Sequence, residues 1–199
     1  MLLQFNFKNF KSFRDDTTLD LTATRISEHE SHIIEIGHDK ILPTAAIFGA
    51  NASGKSNVLE AFRYMSTYVI KSLNFGGDES TKKGKSEFLS PTPFLFDTKC
   101  KDAVSSFEVY FVSSKENGYK TYNYGFTVNY EGIKEEWLNY KSKSIRNEYK
   151  RIFYRNGNEW DFSGIAAKSR ENLMIALEKE TLIVSLGAKL KIAKLKLIR

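Results

Sequence analysis

The chain has 199 residues, of which 41% are hydrophobic and 14% aromatic, so it can bury one sizeable core. This composition excludes a wholly disordered polymer, and the net charge of +6, with Lys and Arg scattered along the sequence, permits nucleic-acid contact without indicating it. The single cysteine, Cys100, excludes an intramolecular disulfide and fits a reduced, cytoplasmic setting. No apolar run approaches the roughly 20 residues that span a membrane. The N-terminus lacks the cationic start and following apolar block of a secretion signal.

The first forty residues predict strands followed by a polar segment. Leu2–Phe7 and Thr18–Thr22 alternate in polarity and predict two strands that pair with each other. Residues 23–40 contain all three histidines, His29, His32 and His38. With nearby glutamates they suggest a metal cluster, but the spacing matches no tight ligand pattern. An exposed loop or short helix is therefore the favoured interpretation.

Residues 49–56 read G-A-N-A-S-G-K-S and match the phosphate-binding P-loop at every fixed position. The glycines let the backbone N–H groups turn inward, Lys55 reaches the β- and γ-phosphates, and the Ser56 hydroxyl ligates Mg²⁺. The motif must follow a strand and open a helix. Thr44–Phe48 is a short apolar run that predicts this strand, and helical spacing of apolar residues predicts a helix to about Lys71.

The pattern Gly-x-Asn-x-Ser-Gly-Lys-Ser resembles the P-loop of the ABC-type ATPase heads of SMC proteins, RecF and OLD-type nucleases. Phe7–Phe13 (F-K-N-F-K-S-F) is similar to the segment that opens those heads near the adenine and ribose. Together they resemble the prokaryotic "AAA family ATPase" proteins, many of them linked to phage defence. Weaker likeness extends through Pro93–Asp97, Tyr124–Phe126 and Glu136–Leu138.

The resemblance implies an α/β P-loop NTPase fold, with residues 1–199 as the N-terminal lobe of an ABC/SMC-type head. It implies ATP and Mg²⁺ as cofactors, with Ser56 as the metal ligand. It also implies a homodimer or a partner head around ATP, acting on DNA or on an effector nuclease. The implied nucleotide-binding residues are Asn9, Lys11, Ser12, Gly49, Asn51, Ala52, Ser53, Gly54, Lys55, Ser56 and Asn57.

The remaining sequence predicts a long loop, a β-meander and a helical end. Residues 72–92 are rich in Gly, Ser, Lys and Asp and predict a mobile loop. Residues 94–162 predict a β-meander, whose strands are Phe107–Val112, Tyr122–Val128, Ile133–Tyr140, Arg151–Arg155 and Glu159–Phe162. Its tyrosines and phenylalanines either stack on single-stranded nucleic acid or line one face of the sheet.

Residues 169–199 predict a helical segment that the chain's end cuts short. Ser169–Asn172 resembles a helix cap, with the helix continuing to about Lys179. The tail Lys189–Arg199 is basic and apolar by turns, which also suits a membrane-surface or nucleic-acid helix. Ser185–Gly187 has a faint likeness to the Ser-x-Gly motif with which ABC-type heads cap a partner's nucleotide.

The acidic pair of a complete ATPase is missing from the sequence. Hydrolysis needs a carboxylate for Mg²⁺ and a general base, and no apolar run is followed by Asp-Glu. The catalytic residues are therefore unknown, and a missing second half or a partner must supply them. Three functions stay open: an ATPase completed in this way, a nucleotide-gated switch without turnover or truncated product, and a basic nucleic-acid-binding module. The absence of an Asn-Lys-x-Asp guanine reader favours ATP over GTP.

Overall fold

The computed structural model describes residues 1–24, 29–36, 39–74, 90–113, 118–141, 148–157, 159–192 and 194–195. Two antiparallel sheets and four α-helices occur in these residues. The strands are β1 (Leu2–Lys8), β2 (Thr17–Asp20), β3 (Ile34–Ile36), β4 (Asp39–Ile41), β5 (Ser105–Val112), β6 (Thr121–Asn129), β7 (Gly132–Lys141), β8 (Lys150–Asn156) and β9 (Glu159–Asp161). The helices are α1 (Lys55–Lys71), α2 (Thr98–Lys101), α3 (Ala167–Ala176) and α4 (Ile183–Lys189).

The main sheet has seven strands in the order β2-β1-β5-β6-β7-β8-β9, and all its pairings are antiparallel. Strands β5 to β9 follow one another as the predicted meander. The predicted pairing of the first two strands is also confirmed, with Phe5 opposite Leu19. Strand β1 lies beside β5, about one hundred residues later in the chain, and this pairing joins the N-terminal strands to the meander.

Helix α1 packs on one face of this sheet and forms the core with it. Its bounds confirm the helix predicted to Lys71. The buried helix residues Ala61 and Met65 belong to the same apolar cluster as Phe5, Phe107 and Phe126 of the sheet. Apolar side chains at three- and four-residue spacing therefore fix which side of the helix faces the strands. The aromatic residues of the meander lie largely in this core, so those buried ones line a sheet face and do not form a nucleic-acid platform.

The polar segment 23–40 differs from the predicted loop or short helix. Its described residues form a 3₁₀ turn, Glu30–His32, and the antiparallel pair of β3 and β4, in which Glu35 lies opposite Lys40. The rings of His29 and His32 stack with their centroids 5.4 Å apart. Within the described ranges, no group of three metal-ligating side chains forms, while His38 lies outside those ranges.

The strand predicted at Thr44–Phe48 is wrong. The chain follows the small sheet as far as Leu42, whose N–H donates to the Leu21 carbonyl, and then leaves it. Residues 43–52 form no strand and are exposed, with Phe48 at 91% exposure. A strand needs a neighbour for its backbone groups, and none lies beside this segment in the part of the chain that the structure describes.

The helical end begins earlier than predicted and is interrupted. Helix α3 runs from Ala167 to Ala176, with Ala166 as its N-cap, so the Ser169–Asn172 cap is wrong. Its one buried residue is Leu173, which belongs to the core around α1. Of the predicted mobile loop 72–92, residues 75–89 lie outside the described residues, as do 193 and 196–199 of the tail. None of the described helices has the length and hydrophobicity needed to cross a bilayer.

A buried ion pair joins the sheet to α4. Glu136 on β7 is fully buried and lies 3.3 Å from the guanidinium Nη2 of Arg155 on β8. The Glu136 carboxylate also accepts hydrogen bonds from the N–H groups of Ile183 (2.8 Å) and Val184 (3.2 Å), the first two residues of α4. It therefore takes the place of an N-cap side chain, because the residue at that position is Leu182.

Candidate nucleotide site

The P-loop leads directly into α1. Gly54 is the N-cap of the helix and has φ of +89°, a left-handed conformation that glycine adopts at little cost. Ala52 is also left-handed, with φ of +63°. Left-handed residues at alternate positions are a feature of anion-binding nests, in which successive N–H groups turn toward one side.

Seven backbone N–H groups of the loop have no acceptor within the described residues. They belong to Gly49, Ala50, Asn51, Ala52, Gly54, Lys55 and Ser56, whereas Ser53 donates to the Ala50 carbonyl at 3.3 Å. The last two lie in the first turn of α1, where N–H groups have no intrahelical partner and the helix dipole is positive. Free N–H groups at the start of a helix are the usual donors to a bound anion.

Lys55 folds back over the loop. Its ammonium donates to the carbonyls of Gly49 (2.9 Å) and Ala50 (2.6 Å). Both are weak neutral acceptors at an exposed position, so phosphate oxygens are stronger partners for the same ammonium. The exposed Ser56 hydroxyl stands next to it in the sequence and suits Mg²⁺, which prefers oxygen ligands. Free N–H groups, an ammonium and a hydroxyl together fit a Mg²⁺-bound triphosphate.

The N-terminal turn predicted to join the site lies against the P-loop. Phe10 and Phe13 exchange two backbone hydrogen bonds of 2.9 Å, which places Ser12 at the tip of the turn. The Ser12 Oγ accepts a hydrogen bond of 2.8 Å from Asn57 Nδ2 on α1. A Cβ added to Gly54 would lie 2.8 Å from that Oγ and 3.1 Å from the ring of Phe13. The structure thus brings Ser12, Gly54 and Asn57 together from segments about forty residues apart.

Lys11 also contacts α1, through an ion pair with Glu60. Its backbone has φ of +51°, and its N–H donates to the Thr92 carbonyl at 2.8 Å. Glu60 and Thr92 were not predicted, because neither belongs to a motif with fixed spacing. Phe13 belongs to the predicted N-terminal segment Phe7–Phe13, but its position next to Gly54 depends on the fold and could not be predicted.

Asn9 does not face the loop as expected of a nucleotide-binding residue. It is 3% exposed, and its amide nitrogen donates to the backbone carbonyls of Cys100 (2.9 Å) and Ala103 (3.3 Å). Its amide oxygen accepts from the Phe94 N–H at 3.0 Å. Asn9 therefore holds residues 94–104 against the N-terminal turn through these side-chain hydrogen bonds. The sequence segment it shares with Ser12 gives no sign of this different role.

The Ser185–Gly187 segment is buried in α4, whereas a motif that caps a partner's nucleotide has to lie on the surface. All three residues are buried in α4, and the Ser185 Oγ donates to the Val69 carbonyl on α1 at 2.5 Å. A Cβ added to Gly187 would lie 2.1 Å from a side-chain carbon of Leu195. The likeness to the partner-capping motif of ABC-type heads is therefore wrong for this segment.

A comparison with protein families supports the P-loop interpretation. Residues 45–189 match the profile of a family described as "AAA domain, putative AbiEii toxin, Type IV TA system". The match covers more than half of the chain. The chain belongs to this AAA family. Membership implies nucleotide binding by a P-loop ATPase-type domain, and it explains why the loop, α1 and the meander occur in one chain. No curated protein matches the sequence.

Proposed function

We propose that this chain binds Mg²⁺-ATP at residues 49–56, as the nucleotide-binding part of an ABC- or SMC-type ATPase head. The observation that carries the proposal is the row of loop N–H groups that have no acceptor within the described residues, next to the Lys55 ammonium. Lys55 would exchange the carbonyls of Gly49 and Ala50 for phosphate oxygens. Ser56 would hold Mg²⁺, and the ion would offset phosphate charge.

Hydrolysis requires a carboxylate that the described part of this chain does not bring to the loop. There Lys55 bonds only to carbonyls, and the ion pair nearest in sequence is Lys11–Glu60. Three large apolar side chains close to the loop in sequence are exposed: Ile47 and Phe48, by 40% and 91%, and Leu59 of α1, by 67%. We infer that a strand-bearing polypeptide segment covers these side chains and carries the acidic residues.

We further propose that this segment belongs to a second head, in a homodimer or a heterodimer, with ATP between the two. The family description names a putative toxin of a toxin–antitoxin system. This supports nucleotide-driven control of an effector, such as a DNA-acting or phage-defence nuclease. The third alternative, a nucleic-acid-binding module with an incidental P-loop, has less support because the loop geometry suits an anion and the basic residues are scattered.

A switch without turnover is the second candidate function, and the lack of a carboxylate near Lys55 in the described residues favours it for the chain alone. Phosphate release from ATP, measured with the wild type and Lys55→Ala, separates the two. Release that disappears in the variant supports an ATPase. Saturable ATP binding with no release above that of Lys55→Ala supports the switch.

The left-handed Gly54 provides a specific test of the site. Gly54→Ala is expected to weaken Mg²⁺-ATP binding on the order of tenfold, because the new methyl group displaces Ser12 or the loop N–H groups. Gly118→Ala is the matched control: Gly118 has φ of +70°, but no atom lies within 4 Å of its added Cβ. Both variants should lose about 1–2 kcal/mol of stability through backbone strain. Calorimetric titration with ATP should distinguish them, and equal affinities in the two variants would argue against nucleotide binding at this loop.

A further inference from the structure

The face of the main sheet opposite α1 carries a row of directly paired residues. Asn6, Glu108, Gly125, Trp137 and Tyr154 lie side by side on β1, β5, β6, β7 and β8. Directly opposed residues of antiparallel strands point to the same side of the sheet. We call this surface the outer face. Its aromatic residues are distinct from the buried ones that pack against α1. The small β3–β4 sheet packs on one end of this face, where Ile41 contacts the cluster of Tyr110 and Val112.

Trp137 lies flat on the outer face. A Cβ added to Gly125 would be 2.3 Å from Cζ2 and 2.6 Å from Cε2 of the indole, so the glycine leaves the space that the ring occupies. The indole N–H donates to Glu108 Oε1 at 3.2 Å, which fixes the orientation of the ring. The residue is partly exposed, so the ring presents to solvent the side that does not touch the backbone.

Two carboxylates share the outer face with this ring, and the hydrogen bonds that described side chains donate to them come from neutral groups. Glu108 accepts hydrogen bonds from the side-chain amides of Asn6 (2.9 Å) and Asn123 (2.7 Å), in addition to the indole. Glu135, two residues before Trp137 on β7, accepts one from the Tyr154 hydroxyl at 3.2 Å. Neither carboxylate forms a salt bridge within the described ranges. The outer face therefore carries one carboxylate bonded to the indole and a second two residues away on the same strand, and neither pairs with a cation among the described residues.

The neighbouring ring on the same face shows what such an arrangement holds. The Arg151 guanidinium lies 5.0 Å from the centre of the Tyr154 ring, and its Nη1 pairs with Asp161 at 3.0 Å. An aromatic ring and a carboxylate thus bind one of the chain's own guanidinium groups. Trp137 offers a stronger cation–π partner than tyrosine, together with two carboxylates.

We propose that the outer face around Trp137 binds an arginine- or lysine-rich segment of a partner protein. One cationic group lies over the indole and donates to Glu108 and Glu135. Single-stranded nucleic acid is a poorer ligand for this face, because the two carboxylates would repel its phosphates. The proposal does not depend on nucleotide binding, since it uses none of residues 49–56.

The test uses Trp137 as its own reporter. The sequence contains two tryptophans, so Trp160→Phe leaves Trp137 as the only tryptophan, which is excited selectively over the ten tyrosines at long wavelength. A capped peptide with three arginines is titrated into this variant, next to the same peptide with citrulline, which is isosteric but uncharged. Saturable quenching by the arginine peptide, and quenching several-fold weaker with citrulline, supports the proposal. Equal binding of the two peptides overturns it.

Variants then locate the binding site. Glu135→Gln keeps an acceptor for Tyr154, so it should fold normally and weaken peptide binding about 3- to 30-fold. Glu171→Gln, an exposed carboxylate on α3, is the control and should bind like the parent. Circular dichroism checks folding, and a salt titration should weaken the parent more than Glu135→Gln. Unchanged peptide affinity in Glu135→Gln overturns the proposal. Quenching of Trp137 by an oligothymidylate, with no quenching by the arginine peptide, also overturns it.

Discussion

Lys55→Ala is expected to weaken Mg²⁺-ATP binding about 10- to 100-fold, because hydrogen bonds to charged groups contribute about 1.5–3 kcal/mol. Among the described residues, the ammonium bonds only to the carbonyls of Gly49 and Ala50. Those contacts are exposed, so the variant should keep the unfolding free energy of the wild type. Isothermal titration calorimetry with ATP and Mg²⁺ measures the first effect, and urea denaturation measures the second.

Lys71→Ala is the matched control for this experiment. Lys71 is the last residue of α1, about 24 Å from Lys55 along a helix that rises 1.5 Å per residue. It removes the same charge from the same helix, so any general effect of net charge on ATP affinity appears in both variants. A loss of affinity confined to Lys55→Ala places the phosphates at the loop. Equal affinities for wild type and Lys55→Ala would contradict the proposed site.

Local patterns in the sequence are sufficient for the elements that carry their own signals. The spacing of apolar residues after the P-loop predicts α1 to its last residue, because an amphipathic helix records its buried side in that spacing. Strands β5 to β9 alternate with turn signals such as Asn156-Gly157, and short loops make neighbouring strands pair. The loop and the N-terminal turn are also predicted correctly as neighbours, since Ser12 contacts Asn57.

The predicted strand at Thr44–Phe48 shows where such patterns fail. Its composition is typical of a buried strand, yet the segment is exposed and unpaired among the described residues. Strand formation depends on a neighbour, whereas a helix satisfies its own backbone. The apolar composition therefore shows that the segment is suited to a buried strand. It does not show whether a neighbouring strand is there to pair with it.

Side-chain roles that depend on distant contacts were also beyond the sequence. Asn9 has the residue type and position expected at a nucleotide, but it bonds to backbone groups near residue 100. Glu136 and Trp137 are adjacent in sequence and lie on opposite faces of the sheet, one capping α4 and the other lying over Gly125. Alternation predicts that they face opposite ways, but not what each one meets.

Glu136→Ala is expected to lower the free energy of unfolding by about 3–5 kcal/mol, the usual effect of removing one partner from a buried ion pair. Two consequences add to each other. Arg155, which is 5% exposed, keeps its charge, and among the described residues only the Thr181 carbonyl, at 2.8 Å, remains as its acceptor. The N–H groups of Ile183 and Val184 lose their acceptor, and α4 has no side-chain cap to replace it. Urea denaturation of the two proteins measures the difference.

The pH dependence provides an independent measurement on the same residue. Burial raises the pKa of the Glu136 carboxyl above its ordinary value of 4.5, against the lowering effect of Arg155 and the α4 backbone. A raised carboxyl pKa in the folded state favours folding below pH 4.5, and this contribution is lost as pH rises through the folded pKa. Glu136→Gln cannot ionise. The wild type should therefore lose stability relative to Glu136→Gln as pH rises from about 4.5, and parallel stability curves would contradict the shift.

The double variant Glu136→Leu/Arg155→Met separates the uncompensated charge from the lost cap. If the unpaired guanidinium dominates, the double variant should be more stable than Glu136→Leu alone, since apolar residues of similar size often replace a buried pair without loss. Asp16→Ala, which removes an exposed partner of Lys8, is the control and should change stability little.

Because α4 also bonds to α1 through Ser185 and Val69, a loss of α4 in Glu136→Ala should loosen the C-terminal end of α1. Hydrogen exchange should then be faster at residues 65–72 than at residues 55–60, and a uniform change along α1 would show that Glu136 stabilises the fold without acting through that contact.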